Sequence, residues 1–199
     1  MRRDTRAVGP RSAASRGRGT AGRTAAVIVG AAYLVSGCGL VGNSRSSLGL
    51  AEQETMTVTS PMIVQGAMAP QYTCHGRGES PPIFWSGIPP HTKSLALVVD
   101  DSNAPITPRL YWIVFNISAG SADILPGAVP TGARVARNST GRSGYDPPCP
   151  AGRPHQYRFT VYALNSMLRQ PGGAPVKLAW SAIARHAIAR GRLTAWARP

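Results

Sequence analysis

Three cysteines, Cys38, Cys74 and Cys149, are the residues of this 199-residue chain best equipped for covalent chemistry. A thiol can be acylated, oxidised to a disulfide, coordinated to a metal or used as a nucleophile. Metal binding finds no support, because there is no C-x-x-C and no histidine at a ligand spacing from a cysteine. Hydroxyl nucleophiles fare no better: the G-x-S-x-G elbow is missing, and Ser139 and Ser143 sit in a plain Arg/Gly loop. Cys38 is set apart by what precedes it. Seven arginines (Arg2, Arg3, Arg6, Arg11, Arg16, Arg18, Arg23) lead into an apolar run from Ala25 to Val35, followed by Ser36-Gly37. A positive region, a short apolar core and small residues at the junction describe a secretory signal. An apolar run of about 11 residues is far short of the ~20 that span a bilayer.

The V-S-G-C junction resembles the lipobox of bacterial lipoproteins, in which the cysteine becomes the first mature residue and receives a lipid anchor, palmitate among its chains. The resemblance implies a signal peptide over residues 1–37, lipidation at Cys38 and a location on the extracytoplasmic face of the cell membrane, within a bacterial cell envelope. Residues 38–55, rich in Gly, Ser and Asn, read as a flexible tether, and residues 56–199 as one domain long enough to bury a core. With Cys38 acylated, Cys74 and Cys149 remain as an even pair in an oxidising compartment. Joined, they would close a loop of about 75 residues, contributing roughly 3–4 kcal/mol by loop entropy. The sequence leaves their pairing open.

The charge balance changes once the signal is set aside. The full chain carries 22 Lys+Arg against 8 Asp+Glu, a net +14. A value this basic ordinarily suggests nucleic acid. Yet the densest basic block lies in residues 1–37, and an exported domain meets little nucleic acid, so that class is excluded. The remaining positive charge suits an anionic lipid surface or wall polymer, or simply a solvated face.

The domain reads as mostly β. Ser94–Val99 and Trp112–Ile117 are short apolar runs of the kind buried strands make. Tyr157–Leu164 alternates, with Tyr157, Phe159, Val161 and Ala163 on one face. Proline and glycine punctuate the intervals (S-P-P at 80–82, I-P-P at 88–90, L-P-G at 125–127, P-P-C-P at 147–150), marking structured loops. One helix is expected near the C-terminus. Trp180, Ile183, Ala184, Ala187 and Ile188 form its apolar stripe, with Gly191 as its stop.

Two separated segments carry a family resemblance. The first runs from Ser60-Pro61 through Tyr72-Thr73-Cys74-His75-Gly76 and Ser80–Pro89 to Asp100-Asp101-Ser102-Asn103-Ala104-Pro105. The second is Gly144-Tyr145-Asp146-Pro147-Pro148-Cys149-Pro150, followed by Gly152 and His155-Gln156-Tyr157. Together they resemble the D-P-D-A-P block and the G-Y-x-G-P-C-P…H-x-Y signature of the phosphatidylethanolamine-binding protein family, in its bacterial, Raf kinase inhibitor-like branch. Coverage runs from about Met56 to Arg198, and Ala184–Leu193 resembles the bacterial members' last helix. The resemblance implies an antiparallel β-sandwich with a C-terminal helix, and a small anion pocket where the two signature loops meet. It assigns ligand binding to Asp101, Tyr111, Pro148, Cys149, His155 and Tyr157. His155 and Tyr157 share strand parity and so one face, and both can donate to phosphate or carboxylate oxygens. Asp101 could orient the imidazole.

Three departures alter that expectation. The family's second acidic position is Asn103, a usual histidine is Tyr111, and the glycine before Pro148 is Pro147. A changed anion selectivity follows. The favoured class is therefore a non-catalytic lipoprotein, needing no cofactor, that captures a small anionic ligand or phospholipid headgroup. The alternatives are an inhibitor of a protein partner such as a protease, and a hydrolase using a Cys149/His155 pair.

Overall fold

The computed structural model describes residues 56–103 and 109–199; the expected signal segment, Cys38, the tether and Ala104-Pro105 lie outside the described residues. Ten strands, one α-helix and a short 3-10 helix (Pro70–Tyr72) are present among them: β1 (Thr57–Thr59), β2 (Ile63–Val64), β3 (Ala67–Met68), β4 (Ile83–Ser86), β5 (Ser94–Asp101), β6 (Arg109–Ser118), β7 (Asp123–Ile124), β8 (Arg134–Val135), β9 (His155–Leu164), α1 (Val176–His186) and β10 (Ala187–Ala197).

The strands form a three-stranded sheet, β1-β4-β7, and a seven-stranded sheet, β2-β3-β10-β9-β5-β6-β8. All pairings are antiparallel except the one-residue contact of β3 with β10. The small sheet alternates cleanly, burying Val58, Ile83, Trp85 and Ile124 and exposing the residues between, as a one-sided antiparallel sheet should. Its partner is one face of the large sheet. Leu95, Leu97, Val99, Tyr157, Phe159, Val161 and Ala163 meet the small sheet there in one core. The opposite face, with Ala96, Val98, Ile113, Phe115, Tyr162 and Leu164, is covered by Ala179, Ala182 and Ile183 of α1. This is the β-sandwich with a helix that the resemblance implied.

The helix itself differs from the periodicity. It ends at His186, and the residues from Ala187 to Gly191 that were expected to complete it instead open a strand, Ala187–Ala197, paired along β9 from Ala187–Leu164 to Ala197–His155. The cause lies in the pattern after His186: Ala187, Ala189, Gly191, Ala195 and Ala197 are buried at odd positions, which is period two. Gly191 is no helix stop. A Cβ there would lie 2.3 Å from the carbonyl oxygen of Met56, so the close approach of the entering chain to β10 requires glycine.

Candidate functional site

The site grows from the register of β5 on β9. Asp101 sits opposite Tyr157 and Asp100 opposite Arg158. Odd residues of both strands face the sandwich core, so Asp101, His155 and Tyr157 continue that stripe to the sheet's end. Asp101 Oδ2 lies 2.8 Å from His155 Nδ1, while its Oδ1 accepts the Asn103 N–H at 2.8 Å. The carboxylate is buried and the imidazole partly open, with its side chain 24% exposed. The two rings of His155 and Tyr157 lie 6.5 Å apart and nearly parallel.

Tyr111 joins this group through a β-bulge. Val99 pairs with Trp112 but Asp100 with Leu110, which leaves Tyr111 as the extra residue. A bulge re-aims a side chain, and here Tyr111 turns to the core face, where its ring meets that of Tyr157 edge-on at 5.2 Å. Burial pushes the Tyr111 phenol above its ordinary range, with the Arg109 guanidinium opposing. Burial raises Tyr157 further still, and the neighbouring Tyr111 phenol, toward which its hydroxyl donates, adds to the rise.

Two loops close over this end of the sheet. Cys74 and Cys149 are joined as a disulfide with Cα atoms 5.3 Å apart. Beside it the Cys74 N–H donates to the Pro148 carbonyl at 3.0 Å, and the Tyr145 hydroxyl donates to the Tyr72 carbonyl at 3.0 Å. Pro147, standing where the family has glycine, packs over Gly78, whose absent Cβ would lie 3.2 Å from the proline ring. The Cys149/His155 nucleophile pair must accordingly be corrected: a sulfur held in a disulfide has no thiolate to offer.

Between these loops and β6 lies a cavity of about 330 Å³, lined by Cys74, Arg109, Tyr111, Arg142, Asp146, Pro147 and Cys149. Of the residues expected to bind ligand, Tyr111 and Cys149 line it directly. Pro148 is buried in the loop behind, and Asp101, His155 and Tyr157 adjoin it through the Tyr111 ring. Its strongest charges are ones the sequence reading left without a role. Asp146 accepts from Arg109 at 3.1 Å and from Arg142 at 2.6 Å, one oxygen each. Arg109 also stacks 5.0 Å above the Tyr111 ring. Arg142 is placed by an Asx turn in which Asn138 Oδ1 accepts the Thr140 and Arg142 N–H groups. Two guanidiniums share one carboxylate, so the cavity keeps a surplus of positive charge. Asp146 lay inside the second signature, the one available signal; nothing local marks Arg109 or Arg142.

Asn103 does structural work, its Oδ1 accepting the Gln156 N–H at 2.7 Å. Ser139 is likewise structural, its Oγ accepting the Leu110 N–H at 2.9 Å. No described helix is long and apolar enough to cross a membrane.

Comparison with known proteins adds a family, two relatives and two structural neighbours. The family model described as phosphatidylethanolamine-binding protein matches residues 59–197. A Mycobacterium tuberculosis protein provisionally named lipoprotein LppC is 43% identical over 143 residues, 70% of this chain and 71% of that one. A UPF0098 protein of Methanothermobacter thermautotrophicus is 37% identical over 134 residues, 65% of this chain and 89% of its own. Two crystal structures superpose with TM-scores of 0.67. One is a Chlamydia trachomatis protein provisionally described as a phosphatidylethanolamine-binding protein homologue, at 32% identity, covering 74% of this chain and 99% of its own. The other is E. coli YbcL, at 29% identity, covering 73% and 99%.

Proposed function

The chain belongs to the phosphatidylethanolamine-binding protein family, and from that premise we propose that it is a non-catalytic extracytoplasmic lipoprotein, anchored through Cys38, that captures a small phosphate- or carboxylate-bearing ligand. The observation that carries this reading is the Arg109–Asp146–Arg142 arrangement at the mouth of the cavity. A guanidinium presents a planar fork of donors suited to oxyanions. An incoming phosphate or carboxylate would take donor positions that Asp146 leaves unfilled, with the Tyr111 phenol beside it as a neutral donor. Asp101 fixes the His155 imidazole behind this group. The naming of a related protein as a lipoprotein supports the anchor.

Titration of the full chain with inorganic phosphate, phosphoethanolamine and acetate, followed by calorimetry, tests the reading. Saturable binding to at least one is expected. Arg142→Ala, at an exposed side chain, should weaken it by about 10- to 100-fold, the range of a hydrogen bond to a charged group. His155→Ala should weaken it less. Binding that is absent, or that survives Arg142→Ala unchanged, would count against the site.

A further inference from the structure

We propose that the opposite face of the seven-stranded sheet holds a second binding site, for an amphipathic organic carboxylate with a single apolar body. The proposal goes beyond the function above, because this site shares no lining residue with the first cavity. Its origin is the Asp100-Asp101 doublet. Successive strand residues face opposite ways, so Asp101 serves the sandwich side while Asp100 points to the helix side, where it pairs with Arg158 through both Nε and Nη2. Sheet register extends this row of polar residues. Thr160 stands between Val98 and Arg192, and Tyr162 between Ala96 and Arg190.

Above this surface lies a cavity of about 510 Å³, within the roughly 300–1,000 Å³ typical of small-molecule sites. Its floor and walls are largely apolar: Val98, Leu110, Tyr162, Val176 and Trp180 all line it. Trp180 is the telling residue. It leaves the buried stripe of α1 to Ala179, Ala182 and Ile183, stays 37% exposed and meets Tyr162 edge-on at 5.8 Å. An aromatic pair facing an open cavity offers a flat apolar seat.

The charged lining is mostly cationic. Among the described residues, Arg158, Lys177 and Arg192 line the cavity with one carboxylate, Asp100, which Arg158 already holds, and Arg192 Nε donates to the Thr160 hydroxyl at 3.0 Å. The Asp100–Arg158 pair also shows which acceptor the floor accommodates, since Asp100 is itself a carboxylate seated on a guanidinium. The first turn of α1, which contributes Val176 and Lys177, has no side-chain cap and no acidic residue, so its N-terminal partial charge reinforces the preference for an anion. The cavity volume favours one aliphatic chain or ring system over a two-chain lipid.

The test is calorimetric titration of the full chain with sodium dodecanoate below its micellar concentration, with 1-dodecanol as the neutral comparator. Saturable one-to-one binding of dodecanoate, at least 10-fold tighter than that of the alcohol, is expected. Lys177→Glu, at an exposed position, should weaken it by 10-fold or more, and Trp180→Ala should weaken it several-fold. Leu178→Ala, on the same helix but outside the cavity, should leave it unchanged, and its thermal midpoint controls for folding. Arg142→Ala should also leave it unchanged, so failure of the phosphate site and failure of this one are separable. Absent binding, equal affinity for the alcohol, or indifference to both Lys177→Glu and Trp180→Ala would overturn the proposal.

Discussion

Each oxygen of the Asp101 carboxylate is already committed, one to the Asn103 N–H and the other to the His155 ring. Its expected role is therefore to position the imidazole, leaving direct anion contact to donors nearer the cavity. Asp101→Asn should accordingly weaken phosphate binding only several-fold, less than Arg142→Ala, while the protein remains folded; calorimetry on both variants checks the order. The buried phenols give a pH dependence. Tyr111, Tyr145 and Tyr157 all have raised folded-state values through burial. Above the unfolded value of about 10, the unfolded chain releases these protons while the folded chain retains them. Stability is thus full below pH 10 and falls as pH rises beyond it. A thermal midpoint that holds level from pH 8 to 10 and declines above it is expected, with a shallower decline in Tyr145→Phe. At this scale, only part of the site was legible. Asp101, His155 and Tyr157 stand within recognisable motifs. Arg109 and Arg142 are surface arginines among many until the fold brings both to Asp146.

Bulges decide where β6 aims its side chains. Besides the one at Tyr111, the register slips between Leu95–Ile117 and Leu97–Val114, around Asn116, whose φ is 57°. Asparagine tolerates that left-handed conformation better than most residues. Its buried amide also exchanges two hydrogen bonds with the Leu168 backbone, at 2.9 and 2.7 Å. Asn116→Ala should cost about 2–4 kcal/mol, from two lost hydrogen bonds and the strained backbone, measured by denaturant unfolding. The strands β5, β6 and β9 were legible because their apolar runs are strong. The bulges were not, since a single extra residue leaves no mark in an apolar run. The C-terminal helix was legible in kind but not in extent: Trp180, Ile183, Ala184, Ala187 and Ile188 fit a helical stripe, yet pairing with β9 claims everything after His186.

For the whole molecule, the Cys74–Cys149 bridge ties both signature loops to one wall of the cavity. Cys74→Ala/Cys149→Ala should lower stability by about 2–4 kcal/mol and weaken phosphate binding more than a purely remote destabilisation would. Unfolding curves and titrations on the same preparations compare the two effects. Cys38→Ala should abolish membrane partitioning in cell fractionation; a variant still recovered with membranes would rule out the lipid anchor. The position of the bridge also has a bearing on how the chain is assembled. Between its two cysteines lie β4 through β8, whereas β9, α1 and β10 all come after Cys149. The central strand β5, buried at every position, has β6 on one side and β9 on the other. A chain emerging N-terminus first can therefore seal its covalent ring while one long side of β5 still presents bare amides and carbonyls. Such an edge invites pairing with another chain. A protein truncated after Pro150 should keep its disulfide and still aggregate, because what guards β5 from its neighbours is the last fifty residues or so, supplied only after the ring has shut.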